Sequence, residues 1–359
     1  MNADQELQSP TSSPTLSTRR LYTIPKQRQP PSFISLYSLG VLWEGSICDK
    51  GAVKNIIIPH TQSIMTPTLY IDLPTKKLRF LKNIAKGTFG SIDLAERIDI
   101  NGTIQVFVKK PIISGKSLLH EACVQKIVRD NLDNGGFYKS TPDIYDIFRM
   151  TDNSVCFTME IIPNSQTLED ILLCTNDHNA VSAIIQLCII QICSIMSYIN
   201  THIGLDHRDL KPSNILLNYC LSTIKTYHIR DIHITIDTPF YISLIDFGFA
   251  CIGCPSTGET TLSLGTVYDI HDPCPKRGRD MYLFLSCLYS KFHNKMPDNL
   301  KSLFEKWLNI GDSNITQFLK RYIDCEQWIY FISGNPSIHK FNCTPHTVLG
   351  DIYTFISGN

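Results

Sequence analysis

His207-Arg208-Asp209-Leu210-Lys211-Pro212-Ser213-Asn214 runs straight into the apolar Ile215-Leu216-Leu217. Within this loop lie a carboxylate, an ammonium group and an amide, and the run behind it is short enough for a buried strand. Such a loop carries a base, a cation and an oxygen ligand within one turn of backbone. Working outward, Asp246-Phe247-Gly248 follows a second apolar run, Ile242-Ser243-Leu244-Ile245. Upstream stands a glycine-bearing turn, Ala85-Lys86-Gly87-Thr88-Phe89-Gly90-Ser91-Ile92, and then Val106-Phe107-Val108-Lys109.

The surrounding pattern divides the chain. Residues 1–40 are rich in Ser, Thr, Pro and Gln, and such a segment buries too little apolar surface to offset its chain entropy. We read it as a disordered tail, with 41–75 as an N-terminal extension of no clear pattern. From 76 to 160, short strand-like runs alternate with polar turns, broken by a helical stretch at Leu118–Val128. From 163 to 359 the period is mainly helical. The pattern predicts an α+β fold with a small β-rich half before a larger helical half.

Bulk composition narrows the options. Basic and acidic residues number 33 each, so nothing in the whole chain pulls toward nucleic acid or an anionic membrane. Ala183–Ile199 is apolar but short for a span and contains Gln186 and Gln191, so we read it as a buried helix. The 13 cysteines are scattered behind an N-terminus without a signal-like pattern. Reduced thiols and an intracellular location, cytoplasmic or nuclear, are therefore expected.

In order and in residue type, these stretches resemble the eukaryotic-type serine/threonine protein kinases, which have a bilobal fold. The resemblance implies ATP and Mg²⁺ as cofactors, a protein hydroxyl as acceptor, and no nucleic-acid or membrane partner. It assigns Asp209 as catalytic base and Lys211 as the cation facing the transferred group. Asn214 and Asp246 would hold the metal. Ala85, Lys86, Gly87, Thr88, Phe89, Gly90 and Ile92 would cover the nucleotide, where glycines let backbone N–H groups approach phosphate. Lys109 would bind phosphates and pair with Glu121. Met159 would stand behind adenine, with the hinge backbone from Glu160 to Ile162 along its edge. The same resemblance packs Phe247 toward His207 and lets Asp280 brace the catalytic-loop backbone.

Several positions depart from the family pattern. Ala85 replaces a glycine, Phe107 replaces a small residue beside adenine, and Gln125 replaces an apolar one. Phe107 leaves two registers open, because alternate residues of a strand face opposite ways. Either Lys109 or Lys110 reaches the phosphates; we prefer Lys109. These departures favour an alternative, a nucleotide-binding scaffold with little catalysis; the intact Lys109, Glu121, Asp209, Asn214 and Asp246 oppose it. The Ala-Pro-Glu that normally closes the segment after Asp246 is missing, a feature shared with the kinases of large DNA viruses. Tyr219–Tyr241 reads as a hairpin or loop insertion on the surface. Cys251-x-x-Cys254 and His271-x-x-Cys274 have the spacing of a zinc site, or are four unconnected side chains.

Overall fold

Successive side chains of a strand point to opposite faces, so a strand can turn one row of apolar residues to a core. In the computed structural model the described residues are 62–64, 70–73, 76–87, 90–229, 232–257, 260–263, 272–308, 313–321, 329–330, 332–333 and 341–358. The tail at 1–40, Thr88, Phe89 and His271 lie outside them.

Seven strands form one antiparallel sheet. They are β1 (Gln62–Ile64), β2 (Tyr70–Leu73), β3 (Lys76–Lys86), β4 (Gly90–Asp99), β5 (Gly102–Pro111), β6 (Ile144–Arg149) and β7 (Val155–Met159). Their spatial order is β1-β2-β3-β4-β5-β7-β6. The described part of 41–75 thus contributes the first two strands of this sheet, with β1 at its edge. Helix α1 (Leu119–Asn134) packs against β6 and β7. It extends past the helix expected at 118–128 and closes at Gly135, whose N–H donates to Asn131 O.

The second half is built on a central helix. Thr167 caps α2 (Leu168–Cys174), its hydroxyl accepting from Asp170 N at 3.0 Å. Asp177 caps α3 (His178–His202) in the same way through Asn179 N. By length and composition α3 is apolar enough to cross a membrane; here 13 of its residues, Ile185, Ile189 and Ile192 among them, are buried in the core. It packs against the last helix, α7 (Pro345–Ser357). Between them in sequence come α4 (Arg279–Phe292), α5 (Asp298–Leu308) and α6 (Ser313–Arg321).

Two small sheets set the loops. One joins β8 (Ser165–Thr167), β10 (Ile215–Ile229) and β11 (Ile232–Leu244). The other joins β9 (Leu205–Asp206), β12 (Cys251–Gly253) and β13 (Thr260–Leu262). The long β10–β11 hairpin is the insertion expected at 219–241, but it does not lie wholly on the surface. Tyr227, Ile229 and Ile234 enter the main core, while Leu221 and Ile224 stay exposed. Apolar side chains on one hairpin face find α3 and α7 to cover them; those near the bulge between Tyr219 and Thr223 do not.

Candidate active site

Strand β5 decides the first feature. Its back-facing Val106 and Val108 are fully buried in a cluster with Leu78, Ala95, Phe148 and Cys156. The opposite face, toward the cleft, therefore carries Phe107 and Lys109. Across the sheet Lys109 pairs with Ile92, and Phe107 with Leu94 on one side and Met159 on the other. Lys109 Nζ bonds Glu121 Oε1 of α1 and, at 2.8 Å, Asp246 Oδ1. Burial alone would lower this ammonium's pKa; the two carboxylates outweigh it and hold the pKa above the ordinary range. Lys110 belongs to the other face, on Asp93 and 5.1 Å from the Phe80 ring centre.

Gly90, at the start of β4, stands against this lysine: a Cβ there would lie 3.2 Å from Lys109 Cε and 3.2 Å from Lys110 O, tighter than ordinary contact. Gly87 N donates to Gly90 O at 2.9 Å. Ala85 and Lys86 are exposed, Ala85 facing Ile92 across the ladder. Met159 ends β7 and is buried. Glu160 turns its carboxylate away to Asp143 N at 3.2 Å, and its own N–H donates to Asp143 O at 2.9 Å. Ile162 is buried, and its carbonyl accepts from Ser165 Oγ at 2.8 Å. Gln125 is buried with its amide on Pro142 O at 2.9 Å, which satisfies a polar group in an apolar position.

Below the cleft, β9 leads into the loop that opens with His207. Asp280, in the first turn of α4, accepts from His207 N at 2.7 Å and Arg208 N at 2.8 Å. Arg208 is left-handed, φ 62°, a conformation that costs on the order of 1–3 kcal/mol outside glycine and needs such support. The next residue is Asp209. Asn214, at the end of the turn Pro212–Asn214, donates its amide to Asp209 Oδ2 at 2.9 Å and to Asp209 O at 2.9 Å. Lys211 Nζ lies 3.2 Å from Asp209 Oδ1. Burial pushes the Asp209 carboxyl up to about 7 against the opposing pull of Lys211.

Asp246 also sits in the left-handed region, φ 67°, which turns its carboxylate toward Lys109. Burial would raise its pKa, but Lys109 holds it below the usual carboxylate range. Its side chain stays 46% exposed with Oδ1 on Lys109, so an anionic edge faces the cleft. Phe247 is fully buried, its ring centre 4.8 Å from that of His207. His207 is buried and kept neutral, its pKa lowered to about 4 by desolvation, with Nε2 3.1 Å from Ile245 O.

Oxygen donors from Asn214 and Asp246 beside a lysine and a glycine turn suit a divalent cation carrying phosphates. Residues 78–250 match the family model described as protein tyrosine and serine/threonine kinase. Over that stretch the chain is a divergent relative of the eukaryotic-type protein kinases. Over 148 residues the kinase domain is 30% identical to a probable serine/threonine-protein kinase of Dictyostelium discoideum, covering 40% of this chain and 30% of that one. Over 176 residues it is 29% identical to the 3-phosphoinositide-dependent protein kinase B of the same organism, covering 45% of this chain and 17% of that one. The matches thus span less than a third of either relative. Among solved structures, the BubR1 kinase domain is similar at 14% identity, covering 83% of this chain and 86% of that chain, with a TM-score of 0.42.

Sequence reasoning passed over two residues of this kinase site. Asp272, fully buried, holds Arg279 Nη2 at 2.6 Å and Arg208 Nη2 at 3.3 Å, tying the segment before α4 to the catalytic loop. Tyr330 donates its hydroxyl to Asp209 Oδ1. Neither stands at a recognisable spacing from the motifs.

The cysteine motif resolves differently from either expectation. Cys251 and Cys274 form a disulfide, contrary to the expected reduced thiols. A Cβ at Gly204, φ 57°, would lie 2.0 Å from Gly253 O, so β9 and β12 pair this closely only with glycine there, and Cys251 is the β12 residue opposite Asp206. A carboxylate oxygen of Asp206 lies beside both sulfurs, and Cys254 is disulfide-bonded as well.

Proposed function

We propose that this chain is an ATP- and Mg²⁺-dependent kinase that phosphorylates serine or threonine hydroxyls of a protein. The observation that carries the reading is the Lys109 bridge. One ammonium ties the sheet to α1 through Glu121 and to the far lobe through Asp246, while Asp209 and Asn214 lie bonded to each other below.

In this reading Asp209 accepts the proton of the attacking hydroxyl and aligns its oxygen with phosphorus. Its raised pKa suits a base working near neutrality. Lys211 neutralises charge growing on the transferred group. Asn214, whose amide N–H groups hold it on Asp209, would offer its oxygen, and Asp246 its carboxylate, as ligands to the metal. The metal would supply charge neutralisation across the phosphates. Lys109 would hold the α- and β-phosphates, under the turn from Ala85 through Thr88 and Phe89 to Gly90, with Ile92 beneath. Met159, the Glu160 carbonyl and the Ile162 N–H would line the adenine end. Lys211 is the residue that favours serine and threonine over tyrosine in a free substrate. An intracellular location fits the reading.

The scaffold alternative rests on Phe107, which shares the cleft face with Lys109. One experiment separates the two: labelled ATP with a panel of acidic and basic proteins, beside Asp209→Ala. The kinase reading expects transfer that the variant loses by about 10²–10⁴-fold while nucleotide affinity is kept. Equal transfer by both proteins, or binding without transfer in the wild type, would decide against it.

A further inference from the structure

The acceptor side of the site is filled by a residue of the chain itself. Tyr330 sits far along the sequence from the catalytic loop, yet its hydroxyl donates to Asp209 Oδ1 and lies 3.5 Å from Lys211 Nζ. The Lys211 ammonium is also 5.9 Å from the centre of the Tyr330 ring. The hydroxyl of a bound substrate must make these same contacts, one with the base and one with the neighbouring cation.

The placement is anchored on both sides. Ile329 is buried and Ile332 packs against the main core. Ser333, fully buried, donates its hydroxyl to Tyr330 O at 3.0 Å, and its carbonyl accepts from Lys276 Nζ at 3.3 Å. Two apolar anchors and two polar ones therefore aim a half-buried phenol at the base. A tyrosine that merely completed a core would turn its hydroxyl to solvent or a carbonyl, not to the one carboxylate with a chemical task.

We propose that Tyr330 is an intramolecular acceptor, phosphorylated by the site it occupies; the proposal rests on the kinase reading. The phenol oxygen bonds to the γ-phosphorus of ATP as the bond to the β-phosphate oxygen breaks. The phenol proton passes to Asp209 and then to water, and ADP leaves. Tethering supplies the orientation that a free tyrosine substrate would lack. The product carries about −1.5 to −2 charge beside the Asp209 carboxylate, and like charges at that range repel. Phosphorylation therefore expels Tyr330 and clears the acceptor position for a protein substrate.

The test uses the full chain, dephosphorylated and repurified, then mixed with Mg²⁺ and ATP, with dephosphorylated casein as free acceptor. Phosphopeptides are followed in time for the wild type, Asp209→Ala and Tyr330→Ala. Expected are phosphate on Tyr330 at a first-order rate unchanged by dilution, its loss in Asp209→Ala, and a lag in casein phosphorylation that Tyr330→Ala, which empties the acceptor position, lacks. Casein phosphorylated while Tyr330 stays bare would overturn the proposal and leave the kinase reading standing. So would a Tyr330 rate that rises with protein concentration. Phosphate on neither casein nor the chain, with ATP bound, would overturn both.

Discussion

Lys109 Nζ stands 2.8 Å from Asp246 Oδ1, joining two residues 137 positions apart across the cleft between the lobes. The same ammonium holds Glu121, and Gly248 packs below the group, where an added Cβ would lie 3.5 Å from Asp246 Oδ1 and 3.6 Å from Glu121 Oε2. One ammonium thus draws the two carboxylates together across the cleft.

The face assignment of β5 gives the first prediction. Lys109→Met removes the only cation shared by Glu121 and Asp246 among the described contacts. Phosphoryl transfer is expected to fall about 10²–10³-fold, the scale for loss of one group that meets developing charge. Lys110→Met, on the opposite face, is expected to cost little. Steady-state rates for both variants check this; a larger loss for Lys110→Met would reverse the assignment.

Asp280 gives the second. Its carboxylate accepts two buried backbone N–H groups from consecutive residues of the catalytic loop. Asp280→Ala strands both, at about 1–3 kcal/mol for each buried donor. Arg208 then loses what stabilises its left-handed backbone, and Asp209 loses its position. The expected result is a lower denaturation midpoint together with a fall in kcat at nearly unchanged nucleotide affinity. An unchanged kcat would show that the loop holds itself.

The pH profile gives the third. Asp209 acts as a base only when ionised, and burial has pushed its pKa up to about 7. Lys211 pulls that value down, Asp246 pushes it up, and Asn214 and Tyr330 donate hydrogen bonds to the carboxylate. Activity therefore falls as pH drops through about 7, well above the ordinary aspartate value of about 3.9. The acid limb of kcat/KM measures this, and in Lys211→Met the limb moves to higher pH. A profile flat down to about pH 5 would contradict it.

Asp272 gives the fourth. It is shared by two guanidiniums that are themselves almost wholly buried. Removing a buried partner costs more than the ion pair contributes, because desolvated charge is left behind. Asp272→Ala is expected to lower stability by about 3–5 kcal/mol, read from denaturant unfolding. A loss below about 1 kcal/mol would mean that further contacts of Arg208 and Arg279, Ser263, Asp206 and Pro273 O among them, suffice.

Local sequence determined a great deal here. Asp209, Lys211 and Asn214 lie on one short loop, so their meeting needs only the turn at Pro212–Asn214. The strand β7 and the cap at Thr167 could be read from periodicity and side-chain chemistry, because both depend on neighbours in sequence. The two-sided burial of β5 was legible only as a choice between registers. What settled it was the packing of Val106 and Val108 against Leu78 and Phe148, which no local pattern encodes. The same holds for Asp272 on Arg208, Tyr330 on Asp209 and Cys251 on Cys274. Each joins segments whose sequence separation bears no relation to distance, and whose approach is fixed by core packing and by a glycine crossing at Gly204. Sequence supplied the reactive groups, since their chemistry resides in residue type; tertiary structure chose their partners, since burial makes an unpaired charge or hydroxyl costly.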